Sequence, residues 1–440
     1  MNKDYTFLAP LRDEVLKCIK CGLCMAGCPT YGITKDETMV ARGRLTLIKA
    51  VMEGGIDASD KYERYITSCI GCLTCDINCP SNVKIGDIIF AAKAQLAATN
   101  GLNIIEWTAS RLVVGLRWPL PLILRFFRLP MKIYDWLPVK SPFDSLIPFV
   151  RNKVKRRLPG IGNSSFSSQY PEIIKTTSKI PKGRVAFFPG CVIELSTQDI
   201  GRATVSILNK LGYDVVIPEG QYCCGSPLQS LGDAATAKKV ARKNIDVFSP
   251  LDIEAIIVSC ATCGHTLKKE YPVLLGDRAN GDYNKVRGFS EKIIDIHEFI
   301  VSHHGIPNQV RNDNYQVRNN NNQVQANRQR VTFHDPCHLK KGMGVYQHPR
   351  DILKSLPQAE FVEMEDADAC CGFGGIFSLY YYELAAKIGE RKAENIKRSG
   401  SRIVATGCPG CKIHIEDSLH RTGYDAVVRH TVELLDEVLN

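Results

Sequence analysis

Tryptophan is scarce in this chain of 440 residues, long apolar runs are missing where they would matter most, and no cysteine stands alone. All three tryptophans, Trp107, Trp118 and Trp136, fall between residues 101 and 160. There Arg117 and Arg125 bracket only Trp118 to Leu124, with Pro119 and Pro121 inside. A membrane-crossing helix needs about 20 mostly apolar residues, so this stretch does not span a bilayer. No Gly-x-Gly-x-x-Gly follows a strand-like segment, and no P-loop is present. The chain therefore offers no dinucleotide or nucleotide site of its own. No Ser-His-Asp arrangement argues for acyl transfer. The opening Met1-Asn2-Lys3-Asp4-Tyr5 lacks the charged-then-apolar profile of a secretory signal. A disulfide framework is accordingly not expected, and closely spaced cysteines point to metal or redox chemistry.

The composition, 44% apolar and 23% charged, is that of an ordinary soluble protein. Its length implies two to four domains. The formal charge of +10 is concentrated: residues 101–160 carry eleven Lys or Arg against three Asp or Glu. Basic and aromatic residues together suit a surface lying in the membrane interface. They equally suit a docking face for a partner subunit, or a segment wrapping the protein's own core with its charges solvated.

The eighteen cysteines sort into four groups. Cys18, Cys21, Cys24 and Cys28 are followed by proline, and Cys69, Cys72, Cys75 and Cys79 repeat the same C-x2-C-x2-C-x3-C-P spacing. This is the bacterial run for [4Fe–4S] ligation, in which the fourth thiolate serves the other cluster. By that rule Cys18, Cys21, Cys24 and Cys79 hold one cluster, and Cys69, Cys72, Cys75 and Cys28 the other. Between the runs, Leu45, Ile48 and Met52 recur at helical spacing before Gly54-Gly55. Lys61–Thr67 and Ile85–Ala98 also read as helices, and no alternating strands intervene. Residues 1–100 are thus expected to form an all-helical ferredoxin domain. Residues 101–181 form the basic aromatic segment, closing in a serine-rich stretch (Ser164, Ser165, Ser167, Ser168) expected to be flexible.

From residue 182 the chain repeats itself. Cys191, Cys223, Cys224, Cys260 and Cys263 recur as Cys337, Cys370, Cys371, Cys408 and Cys411, at offsets of 146 to 148 residues. Each copy reads strand, helix, strand, helix, strand, helix. Strands are expected at 184–188, 214–217 and 255–258, then at 330–333, 361–364 and 402–405. Helices are expected at 201–211, 234–248 and 379–397. This alternation gives a doubly wound parallel sheet, so the fold class is α plus α/β: a helical double-cluster domain, then two α/β modules at 182–305 and 330–440. In such a sheet all strand exits share one edge, which brings distant cysteines into one pocket. Gly225 and Gly372 let the chain turn after each adjacent pair. Helices starting near Cys263 and Cys411 would aim N–H groups at negative sulfur. Residues 306–329, with Asn319 to Asn322, form a polar tract expected to be a disordered linker.

Cysteine-only sets select zinc or iron–sulfur clusters. Zinc ribbons use two separated C-x2-C pairs, a pattern unlike four cysteines in one run followed by proline, twice.

Phe188-Pro189-Gly190-Cys191, Cys223-Cys224-Gly225, Ser259-Cys260-Ala261-Thr262-Cys263 and Cys370-Cys371-Gly372 resemble the cysteine-rich CCG domain of heterodisulfide reductases and their relatives. The layout of two ferredoxin runs and two such domains is similar to the iron–sulfur subunit of glycolate oxidase (glycolate or D-lactate dehydrogenase). Arg42-Gly43-Arg44-Leu45 and Cys79-Pro80-Ser81-Asn82-Val83 resemble that group in particular. The resemblance implies a noncubane [4Fe–4S] cluster in each complete five-cysteine set, one or both being filled. It implies an FAD-linked 2-hydroxy-acid dehydrogenase as partner, a quinone or other membrane acceptor, and a cytoplasmic location on the inner face of the cell membrane. No nucleic acid is expected as a partner. The alternative is a catalytic subunit that reduces a disulfide at the second set, with Cys370, Cys371, His334 and His338 as candidate catalytic residues. His265 and His414 stand behind Cys263 and Cys411; hydrogen-bonded structural roles are the competing reading for all four histidines. Arg42 and Arg44 either compensate cluster charge or form helix-start salt bridges.

Overall fold

The computed structural model describes residues 5–104, 106–108, 110, 156–157, 159–276, 282–305 and 328–439. Most of the basic aromatic segment, including Trp118 and Trp136, and nearly all of the Asn-rich linker lie outside the described residues.

The N-terminal unit is helical throughout its described residues: α1 (Arg12–Leu16), α2 (Pro29–Thr34), α3 (Ala41–Met52), α4 (Asp60–Thr67), α5 (Thr74–Ile77) and α6 (Ile85–Asn100). On α3, Ala41, Leu45, Ile48 and Val51 are buried at helical spacing. They meet Tyr62 and Ile66 of α4 and Ile88, Ala92 and Leu96 of α6 in one core. Each fully buried isoleucine there contributes about 1.5–3 kcal/mol. Partly buried Cys18, Cys24, Cys69, Cys75 and Cys79 lie against this core, so the helices hold the two cysteine runs from behind.

Each repeated module is a doubly wound sheet, as its alternation implied. In the first, β2 (Gly183–Phe188), β3 (Tyr213–Val216), β4 (Ile256–Val258) and β5 (Ile293–Asp295) are parallel, in the order β3-β2-β4-β5; a short β1 (Ile173–Ile174) adds antiparallel to β3. In the second, β6 (Gln329–His334), β7 (Ala359–Phe361), β8 (Ile403–Thr406) and β9 (Val427–His430) take the matching order β7-β6-β8-β9. Strand β2 is buried on both faces: Ala186 and Phe188 point to one core, Val185 and Phe187 to the other. Both cores continue into the second module, through Val404 and Ile415 on one side and Phe333 and Ala405 on the other. The two modules therefore pack as one body.

Several expectations need correction. Each module has a fourth parallel strand, β5 or β9, which runs into the next helix with no turn residues between to mark it. Strand β7 ends at Phe361 instead of starting there. The helix expected at 379–397 is broken at Tyr381, between Ile376–Tyr380 and Tyr382–Ser399. The serine-rich stretch is ordered. Its Phe166 is fully buried against Phe187 and Gly201, and Ser167 Oγ donates to Glu194 Oε1 at 2.6 Å. An aromatic anchor and side-chain bonds outweigh the local turn propensity.

Candidate metal centres

The two cysteine runs pack directly against one another: a Cβ added at Gly27 would lie 2.4 Å from Thr74 Cγ2. One cavity is lined by Cys18, Cys21, Cys24 and Cys79, and a second by Cys28, Cys69, Cys72 and Cys75. Each gathers three cysteines of one run and the fourth of the other. Within each run two residues adopt left-handed backbone: Lys20 and Gly22 in the first, Gly71 and Leu73 in the second. Successive left-handed turns curl the chain around a compact object. Hydroxyls and amides already touch sulfur: Thr30 Oγ1 lies 3.2 Å from Cys28 Sγ, Thr74 Oγ1 3.4 Å from Cys72 Sγ, and the Val83 N–H donates to Cys79 Sγ at 3.4 Å. Such bonds tune the sulfur ligands of a cluster.

Arg42 lines the first cavity and pairs with Glu37 at 2.8 Å. Arg44 lines the second and is buried. Its guanidinium donates to Tyr65 O at 2.7 Å and to Ser68 Oγ and Thr30 Oγ1. Among the described residues it has no carboxylate partner. A buried cation is costly without an anion, and a cluster with thiolate ligands is one.

In each α/β module the cysteines sit where the sheet topology directs them. Strand order reverses between β2 and β4, and between β6 and β8. The crevice at the strand exits beside such a switch point is where ligands bind in this architecture. Cys191 follows β2, Cys260 follows β4, Cys337 follows β6 and Cys408 follows β8. Cys260 and Cys408 are the N-cap residues of helices Ala261–His265 and Pro409–Thr422. Those helices start two residues earlier than expected, and their first turns carry Cys263 and Cys411. Gly225 and Gly372, at φ +92° and +98°, make the turns after the adjacent pairs. Gly190, also left-handed, passes so close that an added Cβ would lie 2.7 Å from Cys263 Sγ.

The ten sulfurs form one continuous line. Cys191 and Cys223 are 3.8 Å apart. Cys224 is within hydrogen-bonding reach of Cys223 and Cys263. Cys260 touches Cys263 and, across the module boundary, Cys408. Cys408 touches Cys411, which lies 3.4 Å from Cys371. Cys370 touches Cys371 and Cys337. Protons are shared unevenly along this line. Cys223 and then Cys263 hold Cys224 down to about 6. Cys337 and then Cys371 hold Cys370 well below the usual thiol range, as Cys260 and then Cys411 do for Cys408. Their neighbours are pushed up, Cys191 by Cys223, Cys371 by Cys370 and Cys411 by Cys371, with burial adding to each. Packed sulfurs cannot all be thiolates unless a cation sits among them. Iron binds thiolate, so filling these sites releases protons and removes the conflict. The donor sets thus fit iron–sulfur groups.

The line approaches the N-terminal unit. Cys72, pushed up to about 12 by burial, feels the charge of Cys370, and Cys337 that of Cys72. His338 locks the junction: one ring nitrogen is 3.0 Å from Gly71 O, the other 3.2 Å from Thr262 Oγ1. Lys341 Nζ donates to Thr74 Oγ1 at 2.8 Å. His265 stacks on His338 at 4.9 Å, and burial drives it down to about 3. His334 is fully buried, with a ring nitrogen within 4.8 Å of Cys371 and Cys411 sulfurs, and burial lowers it to about 3. His414 faces Ala385 O at 3.2 Å and is lowered to about 4 by burial.

Sequence reasoning passed over Lys93 and Lys392, both buried. Lys93 Nζ donates to Cys69 O at 3.1 Å; Lys392 Nζ donates to Asp366 O and Ala367 O, and burial lowers it to about 8. A signal existed for Lys93. It is the only cation of α6, and Ala91, Ala92, Ala94 and Leu96 around it are all buried.

Two family models match the chain: a 4Fe-4S dicluster domain over residues 14–83, and a cysteine-rich domain over residues 185–268 and 331–416. The chain is 31% identical to the probable glycolate oxidase iron-sulfur subunit of Bacillus subtilis (strain 168), covering 96% of this chain and 94% of that one. It is 30% identical to a subunit of the fumarate reductase (CoM/CoB) of Methanothermobacter marburgensis, covering 99% and 73%. It is 25% identical to a subunit of the dihydromethanophenazine:CoB–CoM heterodisulfide reductase of Methanosarcina barkeri, covering 97% and 94%.

Proposed function

Because this chain belongs to the family of glycolate oxidase iron–sulfur subunits, a component of oxidoreductase complexes bearing several [4Fe–4S] clusters, we propose that it is the electron-relay subunit of a membrane-associated 2-hydroxy-acid dehydrogenase. Glycolate or D-lactate is the substrate, and a partner FAD subunit removes the hydride. Bound [4Fe–4S] groups supply one-electron transfer; the quartets above would hold two cubanes, and the five-cysteine sets one or two more groups. The observation that carries the reading is the unbroken succession of cysteine sites, with Cys72 beside Cys337 and Cys370.

The chain's own residues set the direction. Cys21 is exposed, and Leu16, Ile19 and Leu23 stand exposed around it. That apolar rim suits a flavoprotein docking over the first quartet. Arg42 and Arg44 offset the negative charge of the two N-terminal sites. Among the described residues no helix is long and apolar enough to cross a membrane, so membrane contact falls to the basic segment.

The test uses the chain together with an FAD-linked 2-hydroxy-acid dehydrogenase subunit from the same organism, under anaerobic conditions. Glycolate or D-lactate should bleach the visible iron–sulfur absorbance of this chain. Bleaching by dithionite but by no 2-hydroxy acid would discard the substrate class.

One observation favours a second reading, a disulfide reductase. A cleft of about 730 Å³ reaches Cys370 and Cys28, and its lining carries Lys340, Lys341, Arg391, Lys392 and Arg398 against Asp366, Asp368 and Glu394, a net positive charge. Its cations suit an anionic disulfide, taking two electrons and two protons to give two thiols. Cys370→Ala would then abolish disulfide-dependent reoxidation and leave the N-terminal iron in place.

A further inference from the structure

Strands β2 and β6 end on equivalent residues that differ in kind. Phe188 is the last residue of β2 and His334 the last of β6, each three positions before its cysteine, Cys191 or Cys337. The register agrees. Phe188 pairs with Val258, two residues before Cys260, and His334 pairs with Thr406, two residues before Cys408. Both side chains are fully buried. Phe188 packs on Phe248, with 5.9 Å between ring centroids, and has no hydrogen bond to offer. His334 brings an imidazole to the same place, with a ring nitrogen within 4.8 Å of the Cys371 and Cys411 sulfurs.

Neither ring nitrogen of His334 has a hydrogen-bond partner among the described residues. The other four buried histidines described each engage at least one nitrogen. His265 meets Glu270, His297 meets Asp295, His414 meets Ala385 O, and His430 takes the Val432 N–H. The Ala367 carbonyl near the His334 ring already accepts from the Asp335 N–H at 3.0 Å and from Lys392 Nζ at 3.2 Å. A buried polar group without a partner costs free energy. Sulfur chemistry supplies the partner. Cys371 Sγ donates to Cys411 Sγ at 3.4 Å, and that proton leaves when the thiolates take iron. Sulfur is then an acceptor only. Burial keeps the imidazole neutral, so it has one N–H to give.

We propose that His334 donates its ring N–H to sulfur of the second module's iron–sulfur group, and that Phe188 leaves the first module's group without this bond. The inference rests on the relay reading and deepens it. A donor on sulfur favours the reduced, more negative state. His334 thereby makes the second site the easier of the two to reduce, and electrons settle there before the first. It acts as a positioning residue: no covalent bond forms or breaks, and the proton stays on the ring.

The test is an anaerobic redox titration of the holo chain, each step read by electron paramagnetic resonance. The second module's step is the one lost in Cys370→Ala. His334→Phe copies the first module. It should make reduction in that step about tenfold less favourable, a fall of about 59 mV for one electron, with the other steps unmoved. His334→Asn and His334→Gln each keep a donor near one ring-nitrogen position, and one of them should recover most of the shift. In chain grown with heavy-nitrogen histidine, the second module's signal should carry a weak nitrogen coupling of hydrogen-bond size that His334→Phe removes. Should His334→Phe fail to load iron, loss of that coupling in His334→Gln decides. An unshifted step in His334→Phe, or a shift that neither carboxamide reverses, overturns the assignment and leaves the relay standing. A coupling as large as that of metal-bound imidazole overturns the hydrogen bond by making His334 an iron ligand. If no step is lost in Cys370→Ala, the second set holds no redox group, and the assignment falls together with that part of the relay.

Discussion

Lys20 and Gly22 show how much of a cluster site is written into single residues. Both are left-handed, and the second run repeats the device with the glycine exchanged, as Gly71 and Leu73. A side chain in this conformation costs about 1–2 kcal/mol. Lys20 is exposed, so Lys20→Gly relieves strain without losing packing; it should leave the holo protein unchanged or more stable by about 0.5–1 kcal/mol. Gly22→Ala does the opposite. At φ +86° its Cβ would also come within 3.0 Å of Arg42 Nη1. The cost should be about 1–2 kcal/mol, greater than for Gly71→Ala, whose Cβ meets nothing within 4 Å. Anaerobic thermal unfolding of the three variants, with retained iron, checks the order; equal midpoints would contradict it. The cysteines themselves were legible because chemistry fixes their spacing. Arg44 was legible only as a charge. Its burial depends on helices whose packing no local pattern reports.

At the scale of elements, the repeated α/β module was readable because apolar strands and helices alternate at a constant offset. Its cysteines follow the strands for a topological reason, and that reason holds in both copies. What escaped were elements without a periodic signature. Strand β5 is three residues directly followed by a helix, and the serine-rich stretch is held by the burial of Phe166 with the bonds of Ser167 to Glu194 and of Gln198 to Ser164 O. The π-helical turn His338–Met343 escaped as well, although it presents His338 and Lys341 to the second cysteine run. His338→Leu removes the bonds to Gly71 and Thr262 while leaving every cysteine in place. Loss of two hydrogen bonds at a half-buried junction should cost about 1–3 kcal/mol. Limited proteolysis should then release the N-terminal unit sooner, with iron per chain unchanged. Wild-type resistance in the variant would mean that the shared helix contacts alone hold the units together.

Across the whole molecule, four cysteine groups far apart in sequence become neighbours. Cys260 and Cys408 meet only because the two modules pack through common cores, and Cys72 meets Cys337 and Cys370 only because the N-terminal unit docks on the second module. The sequence pattern supplies each group; their order in space needs the tertiary fold. That order places the second quartet at the contact between the units, with Cys72 toward Cys337 and Cys370 and Cys69 beside Lys93. The account's central claim is that these sulfurs hold iron in several nearby clusters. The most direct measurement is electron paramagnetic resonance of the anaerobically prepared chain after dithionite reduction, read beside iron, sulfide and zinc content. Broadened signals from spin-coupled [4Fe–4S] clusters, with iron and labile sulfide in equal amounts, are predicted. A colourless, zinc-loaded chain with no signal would contradict the account.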